Sequence, residues 1–260
     1  MPDFNPELSI LQIRKYEVVY MSEKTAIVKN RIWEIDFLRG IAFIGMVFCH
    51  AVYDLNYIFG IETTFFLEYY DIIGNFSAIT FMILCGISSN FSKNNIKRGL
   101  IVFASALALT TVTALADRLF NTNLIIIFGI LHFLGIAMII SHFAKKLPIW
   151  VTLVLSVASW ILGKYLLSLR VSTNIFCMFG LYSKTFYSSD YYPIFPYLAF
   201  VFIGIVLGKL FYKEKKSIFP FTIGKNPISF FGKHSFILYF IHQPIIFTVL
   251  FIIIRIFDLH

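Results

Sequence analysis

Seven stretches of about twenty mostly apolar residues, near 35–54, 71–92, 98–116, 123–143, 148–168, 192–211 and 235–256, restrict what this chain can fold into. A hydrocarbon layer of about 30 Å takes roughly 20 residues of helix to cross, and in lipid every backbone N–H and C=O must find a partner within the protein. The pattern therefore predicts an all-α polytopic membrane protein of about seven transmembrane helices. Composition agrees: 58% of residues are hydrophobic, 14% are charged, and the mean hydropathy is +0.80. The run VSTNIFCMFGL at 171–181 is apolar but too short to cross, so it is expected to be re-entrant or to lie in the interface. Residues 1–30 carry mixed charge and read as a cytosolic leader, with 31–260 a single transmembrane domain. Met21 opens a compact basic segment and is an expected alternative start of translation.

Loop charge sets the expected orientation. Arg14, Lys15, Lys24, Lys29, Arg31, Lys93, Lys97, Arg98, Lys145, Lys146, Lys209, Lys213, Lys215, Lys216, Lys225 and Lys233 fall on one side of a seven-span chain. The other side receives Arg118, Lys164, Arg170, Lys184 and Arg255. The positive-inside rule then puts the N-terminus in the cytosol and the C-terminus outside. Basic residues so used are topology signals rather than a nucleic-acid footprint. Cys49, Cys85 and Cys177 sit in or beside apolar runs, without CxxC spacing, and read as packing residues. G-x-S-x-G, H-E-x-x-H and G-x-G-x-x-G are all missing from the sequence, which removes support for serine-hydrolase, zinc and Rossmann chemistry. No metal site is expected.

The first span, DFLRGIAFIGMVFCHAVYD, places charge where lipid is expected. At about 100° per residue, Arg39 and His50 differ by roughly 20° and lie about 16 Å apart along the axis. Asp36 and Asp54 fall about 60° from Arg39 on the same side, whereas Ile41, Ile44 and Phe48 project elsewhere. Charged groups in a membrane helix usually line a bundle interior or a wet cavity. A guanidinium near the inner face suits a phosphate-bearing molecule from the cytosol. A histidine three turns further on, with Asp54 at i+4 to orient it, suits a general base for a hydroxyl or amine arriving from outside.

Asp36, Leu38, Arg39, Gly40, Ala42 and His50 form a D-x-L-R-G-x-A…His pattern that resembles the first-helix signature of the transmembrane acyltransferases. The wider segment RIWEIDFLRGIAFIGMVFCHAVYDLNYIFG resembles the bacterial branch named after heparan-alpha-glucosaminide N-acetyltransferase. Similar stretches follow in the family order at FMILCGISS (81–89), FGILHFLGIA (128–137), YYPIFPYLAFVFIG (191–204) and KNPISFFGKHSFILYFIHQPI (225–245). The resemblance implies a transmembrane acyltransferase-like bundle that moves an acetyl group from cytosolic acetyl-CoA to an extracytoplasmic sugar or envelope glycan. Its setting would be a bacterial plasma membrane, with lipid around it and a second copy of the chain compatible with it.

On that reading His50 is the base or the acyl carrier, with Asp54 and Asp36 completing the catalytic set. Arg39, Arg98, Ser88 and Lys233 would hold the acetyl-CoA phosphates. His132, flanked by Gly129 and Gly135, would contact the thioester or acceptor, and His242 and Gln243 would face the acceptor. Tyr191, Tyr192 and Tyr197 read as an outer aromatic belt, and Asp190 and Glu62 as candidates for acceptor recognition. The competing class is a small transporter using the Arg39, His50 and Asp54 stripe as a proton or anion path. Broken helices in equivalent halves, which many such carriers show, are not visible.

Overall fold

The computed structural model describes residues 32–120, 124–224 and 226–257. The leader and the candidate start at Met21 lie outside them. Among the described residues the chain is helical: α1 (Trp33–Tyr53), α2 (Thr64–Ser89), α3 (Asn95–Phe120), α4 (Ile130–Ala144), α5 (Ile149–Ser168), α6 (Ile194–Phe211) and α7 (Pro227–Phe257). Six of these are long and apolar enough to cross a membrane, and α4 is shorter. The stretch 171–181 holds only a single 3-10 turn, Cys177–Phe179.

Local chemistry accounts for several of the boundaries. Glu34 and Asp36 occupy the first turn of α1, where the helix dipole favours anions. Asn94 caps α3 through the Lys97 N–H, at 2.9 Å. Asn226 caps α7 through the Ser229 N–H, at 2.7 Å, just ahead of Pro227 at the first helical position, where its missing N–H costs nothing. Basic side chains act at opposite ends: Lys145 donates to the carbonyl of Ser89, the last residue of α2, at 3.3 Å, and ties the following loop through Ser92 at 2.8 Å, while Lys209 donates to the Leu147 carbonyl in the loop after α4.

Packing runs α5, α6, α2, α1, α7 as a sequence of neighbours, with the α3–α4 pair joined to it through α4 against α2 and α6. Lipid gives helices no hydrophobic reason to associate, so small residues that let backbones meet carry much of the contact. At the α1–α7 crossing, a methyl on Gly40 would collide with the Ile228 carbonyl and one on Gly232 with the Asp36 carbonyl. Gly86 and Gly204 let α2 and α6 approach in the same way. The core cluster, with Met82, Phe133, Val201 and Ile205 almost fully buried, lies between α2, α4 and α6. The outer faces of α3, α5 and the far half of α7 are apolar and exposed, among them Val112, Trp150, Ile161 and Phe257, as a lipid-facing surface requires.

The fourth span differs from its sequence expectation. Helix begins at Ile130 rather than near 123, and the preceding residues 124–129 are non-helical. Fifteen helical residues supply about 22 Å, and the non-helical stretch supplies up to about 20 Å more. Its backbone is satisfied by side chains instead of by a helix. On one face of α3, Asp117 accepts from the Leu124 N–H at 3.0 Å, and Thr113 accepts from the Ile126 N–H at 3.2 Å. Thr110 donates to the Ile126 carbonyl at 2.7 Å. On the other flank the Ser189 N–H donates to the Ile125 carbonyl at 2.9 Å and the Tyr192 N–H to that of Phe128 at 3.0 Å. Irregular backbone at membrane depth is tolerated where protein buries it in this way.

Candidate active site

Backbone contact at Gly40 and Gly232 brings the N-terminal ends of α1 and α7 together, and with them Arg39 and Lys233. Arg39 Nη1 pairs with Asp36 Oδ1 at 2.9 Å, and Nη2 donates to Ser88 Oγ on α2 at 3.1 Å. The carboxylate and hydroxyl hold the guanidinium edge-on toward α2 rather than out toward lipid, while Leu38 and Ile44 on the other side of α1 are 40% and 44% exposed.

Arg39, Ser88, Arg98 and Lys233, expected from sequence to hold phosphates, all line one cavity of about 390 Å³ between α1, α2, α3, α4 and α7. Asn95, 2% exposed, adds a polar wall and is itself fixed by donating to the Ser89 carbonyl at 2.9 Å. Deeper in, the lining turns apolar, with Phe81, Val102, Leu134, Met138 and Phe236. Cations at the mouth over an apolar interior suit an anionic molecule with an apolar arm.

A second cavity of about 250 Å³ holds His50, together with Tyr70, Asp71, Asn75, Ser77, Asp190, Tyr192 and Tyr197. Met46, Phe81, Ile130 and Tyr239 line both cavities. The two spaces therefore adjoin along these four residues, and the polar stripe of α1 borders both: Arg39 at one, Met46 at the shared wall, His50 at the other.

Asp54 is fully buried and opens a π-helical turn, Asp54–Ile58, that ends α1. Among the described residues its carboxylate is bonded by α7 rather than by His50, with Gln243 Nε2 donating to both oxygens at 2.9 Å. The ring beside His50 is His242, at a centroid separation of 4.9 Å. The α1–α7 crossing thus brings together buried Asp54 and His242 with half-buried His50 and Gln243, and leaves Asp36 at the far end with Arg39.

His132 stands apart from both cavities. Its Nδ1 accepts from the Gly129 N–H at 3.2 Å, which reaches back over the first turn of α4 as a capping-box side chain does. That leaves Nε2 to donate to Thr110 Oγ1 at 3.1 Å. With both nitrogens committed and 2% exposure, the ring supports the non-helical approach to α4. The expected contact with thioester or acceptor is not where the structure places it. The tyrosines also differ from expectation: Tyr191, Tyr192 and Tyr197 line the His50 cavity, and Tyr191 donates to the Cys177 carbonyl at 2.7 Å, so they face inward.

Asp71, Asn75 and Ser77 were missed in the sequence. Asp71 and Asn75 share a face of α2 and Ser77 lies on another, buried against α1; the polar i, i+4 pair Asp71 and Asn75 in an apolar run is the signal for the first two.

Asp190, in the loop between α5 and α6, accepts from the Ile130 N–H at 2.8 Å. Burial pushes its carboxyl up from 3.8 to about 6, against the opposing pull of that N–H. The folded protein holds this proton more tightly than the unfolded chain does. The resulting stabilisation is complete below about 3.8 and is lost as pH rises through about 6. Asp190→Asn keeps an oxygen for Ile130 and removes the titration. Its melting temperature is therefore expected to rise relative to the unsubstituted chain between pH 5 and pH 7.5; a constant difference across that window would count against the assignment.

A multi-pass helical bundle with a cavity bordered by Arg39, Arg98 and Lys233 adjoining a second that holds His50 defines an integral-membrane protein with a polar site inside its bundle. The chain is a member of the family described as heparan-alpha-glucosaminide N-acetyltransferase, catalytic, which matches residues 31–244. At that level it is a membrane acetyltransferase. Comparison with curated proteins and with solved structures returned no match.

Proposed function

We propose that this chain transfers an acetyl group from acetyl-CoA, taken up from the cytosol at the Arg39 cavity, to a sugar or envelope glycan reaching the His50 cavity from outside a bacterial plasma membrane. The observation that carries this reading is the pair of cavities sharing Met46, Phe81, Ile130 and Tyr239. A donor and an acceptor held on either side of that shared wall meet without either crossing the membrane.

Arg39, Arg98 and Lys233 supply charge for the donor's phosphates and Ser88 a hydroxyl, while Asp36 fixes the Arg39 fork. The apolar depth receives the acyl-bearing arm, so that the acetyl carbon lies at the partition. His50 takes the proton from the acceptor's hydroxyl or amine as its heteroatom bonds to the acetyl carbon. The carbon–sulfur bond breaks and CoA leaves as the thiolate, which is then protonated. Asp54 and Gln243 anchor the end of α1 that carries His50.

Purified protein in detergent is expected to be stabilised thermally by acetyl-CoA, by about 2.7 kcal/mol at a hundredfold excess over Kd. Arg39→Ala is expected to weaken binding by about 10- to 100-fold, the equivalent of the roughly 1.5–3 kcal/mol of a charge-assisted hydrogen bond. A carrier using the same stripe for protons or anions would be indifferent to acetyl-CoA. No thermal shift in the unsubstituted chain would remove the proposal.

A further inference from the structure

The α7 side of the α1–α7 crossing holds two acceptors without donors. His242 Nδ1 lies 2.6 Å from the Tyr239 carbonyl. A carbonyl only accepts, so Nδ1 carries the hydrogen, and in the neutral ring Nε2 presents a lone pair. That Nε2 is buried with no hydrogen-bond partner, as is Oε1 of the next residue, Gln243. His242 is itself only 8% exposed. A buried, tautomer-fixed acceptor left unpaired costs stability, and such a cost is commonly tolerated where a group has a task.

The neighbour that can supply a hydrogen is His50. A centroid separation of 4.9 Å sets the two rings side by side without a hydrogen bond to His242 Nε2, and catalytic hydrogen bonds are often long before substrate binds and tighten in the complex. His50 also lines the cavity assigned above to the acceptor, while His242 lies behind it on α7.

We propose that His242 is the positioning and proton-holding partner of His50. As one His50 nitrogen takes the acceptor's proton, the other gives its own to His242 Nε2. His50 returns to neutral, and His242 becomes a cation that still donates through Nδ1 to Tyr239. The proton later leaves His242 by the reverse path, through His50 to the CoA thiolate. The inference rests on the acetyl-transfer reading, and its consequence is that α7 takes part in the chemistry of a base carried by α1.

The test uses the full chain in lipid nanodiscs, with radiolabelled acetyl-CoA as donor and glucosamine as the acceptor probe. His242→Asn retains an amide that can donate to the Tyr239 carbonyl but has no basic nitrogen. It is expected to fold, to keep its thermal shift with acetyl-CoA, and to lose about 10²-fold in kcat with KM for acetyl-CoA unchanged. His242→Ala is expected to lose as much and to be partly restored by added imidazole. An Asn variant at full kcat, a loss confined to KM, or an Ala variant that imidazole does not restore would each overturn the proposal.

A second readout needs no turnover. In ¹⁵N-histidine spectra of the unsubstituted chain, His242 is expected to be the Nδ1-protonated tautomer, and His242→Asn is expected to shift the His50 ring nitrogens. His50 resonances unmoved by that change would reject the pairing, whereas absence of an acetyl-CoA thermal shift would instead reject the acetyl-transfer reading.

Discussion

A His50→Ala chain is expected to lose acetyl transfer by about 10²- to 10⁴-fold, the range that a positioned general base supplies, while keeping its affinity for acetyl-CoA. The separation follows from the partition. His50 lines only the cavity that lacks the three cations, and Arg39, Arg98 and Lys233 line only the other. Removing the imidazole therefore takes nothing from the donor's phosphates. Fold should also survive, because the neighbouring anchor between Asp54 and Gln243 is independent of the ring. The measurement is paired: transfer of label to glucosamine and thermal stabilisation by acetyl-CoA, on the same preparation. Full transfer by the alanine variant would refute the role of His50; loss of both activity and stabilisation would show that the two cavities are not separable.

The second large effect is structural. Gly232→Val is expected to leave little folded, monodisperse protein, because even a Cβ at this position would meet the Asp36 carbonyl, its carbon and the Gly40 nitrogen. Backbone atoms cannot rotate out of the way as a side-chain tip can, so the cost is expected at or above the roughly 1–3 kcal/mol usual for overpacking. Any protein that does fold must open the α1–α7 crossing, which draws Lys233 from Arg39 and His242 from His50 together. Gly224→Val is the control: it lies in the loop ahead of α7 with open space around it and should behave as the unsubstituted chain. Size-exclusion profiles and melting curves of the two variants distinguish them, and equal behaviour would show that the close crossing is not needed.

Much of this arrangement is legible in the sequence because membrane burial forces a simple code. Apolar length locates the crossings, and a helical wheel of the first one puts Arg39 and His50 on one face, where the two cavities are found. The parts that were not legible depend on partners distant in sequence. Residues 124–129 are as apolar as a helix, and only the distant hydroxyls of Thr110 and Thr113 and the carboxylate of Asp117 reveal that their backbone is held another way. Asp54 sits at i+4 from His50, which suggests a local pair, yet Gln243 crosses from α7 to take it. His132 in a glycine-flanked motif suggests chemistry, and the Gly129 N–H and Thr110 use both its nitrogens. The start of α7 was within reach: Asn226 followed by Pro227 is a helix-start signal that a hydropathy window averages away.

The shared wall of the two cavities has an electrical consequence. An apolar barrier ordinarily spreads a membrane voltage over about 30 Å; with one cavity open to each face, as the proposed function requires, the barrier would thin to the wall shared at Met46, Phe81, Ile130 and Tyr239, and the potential would fall most steeply there. An acetyl group handed over that wall would do no electrical work. A proton moved over it exchanges up to about 2.3 kcal/mol for each 100 mV, which ties the energetics of turnover to the side on which the acceptor's proton is released.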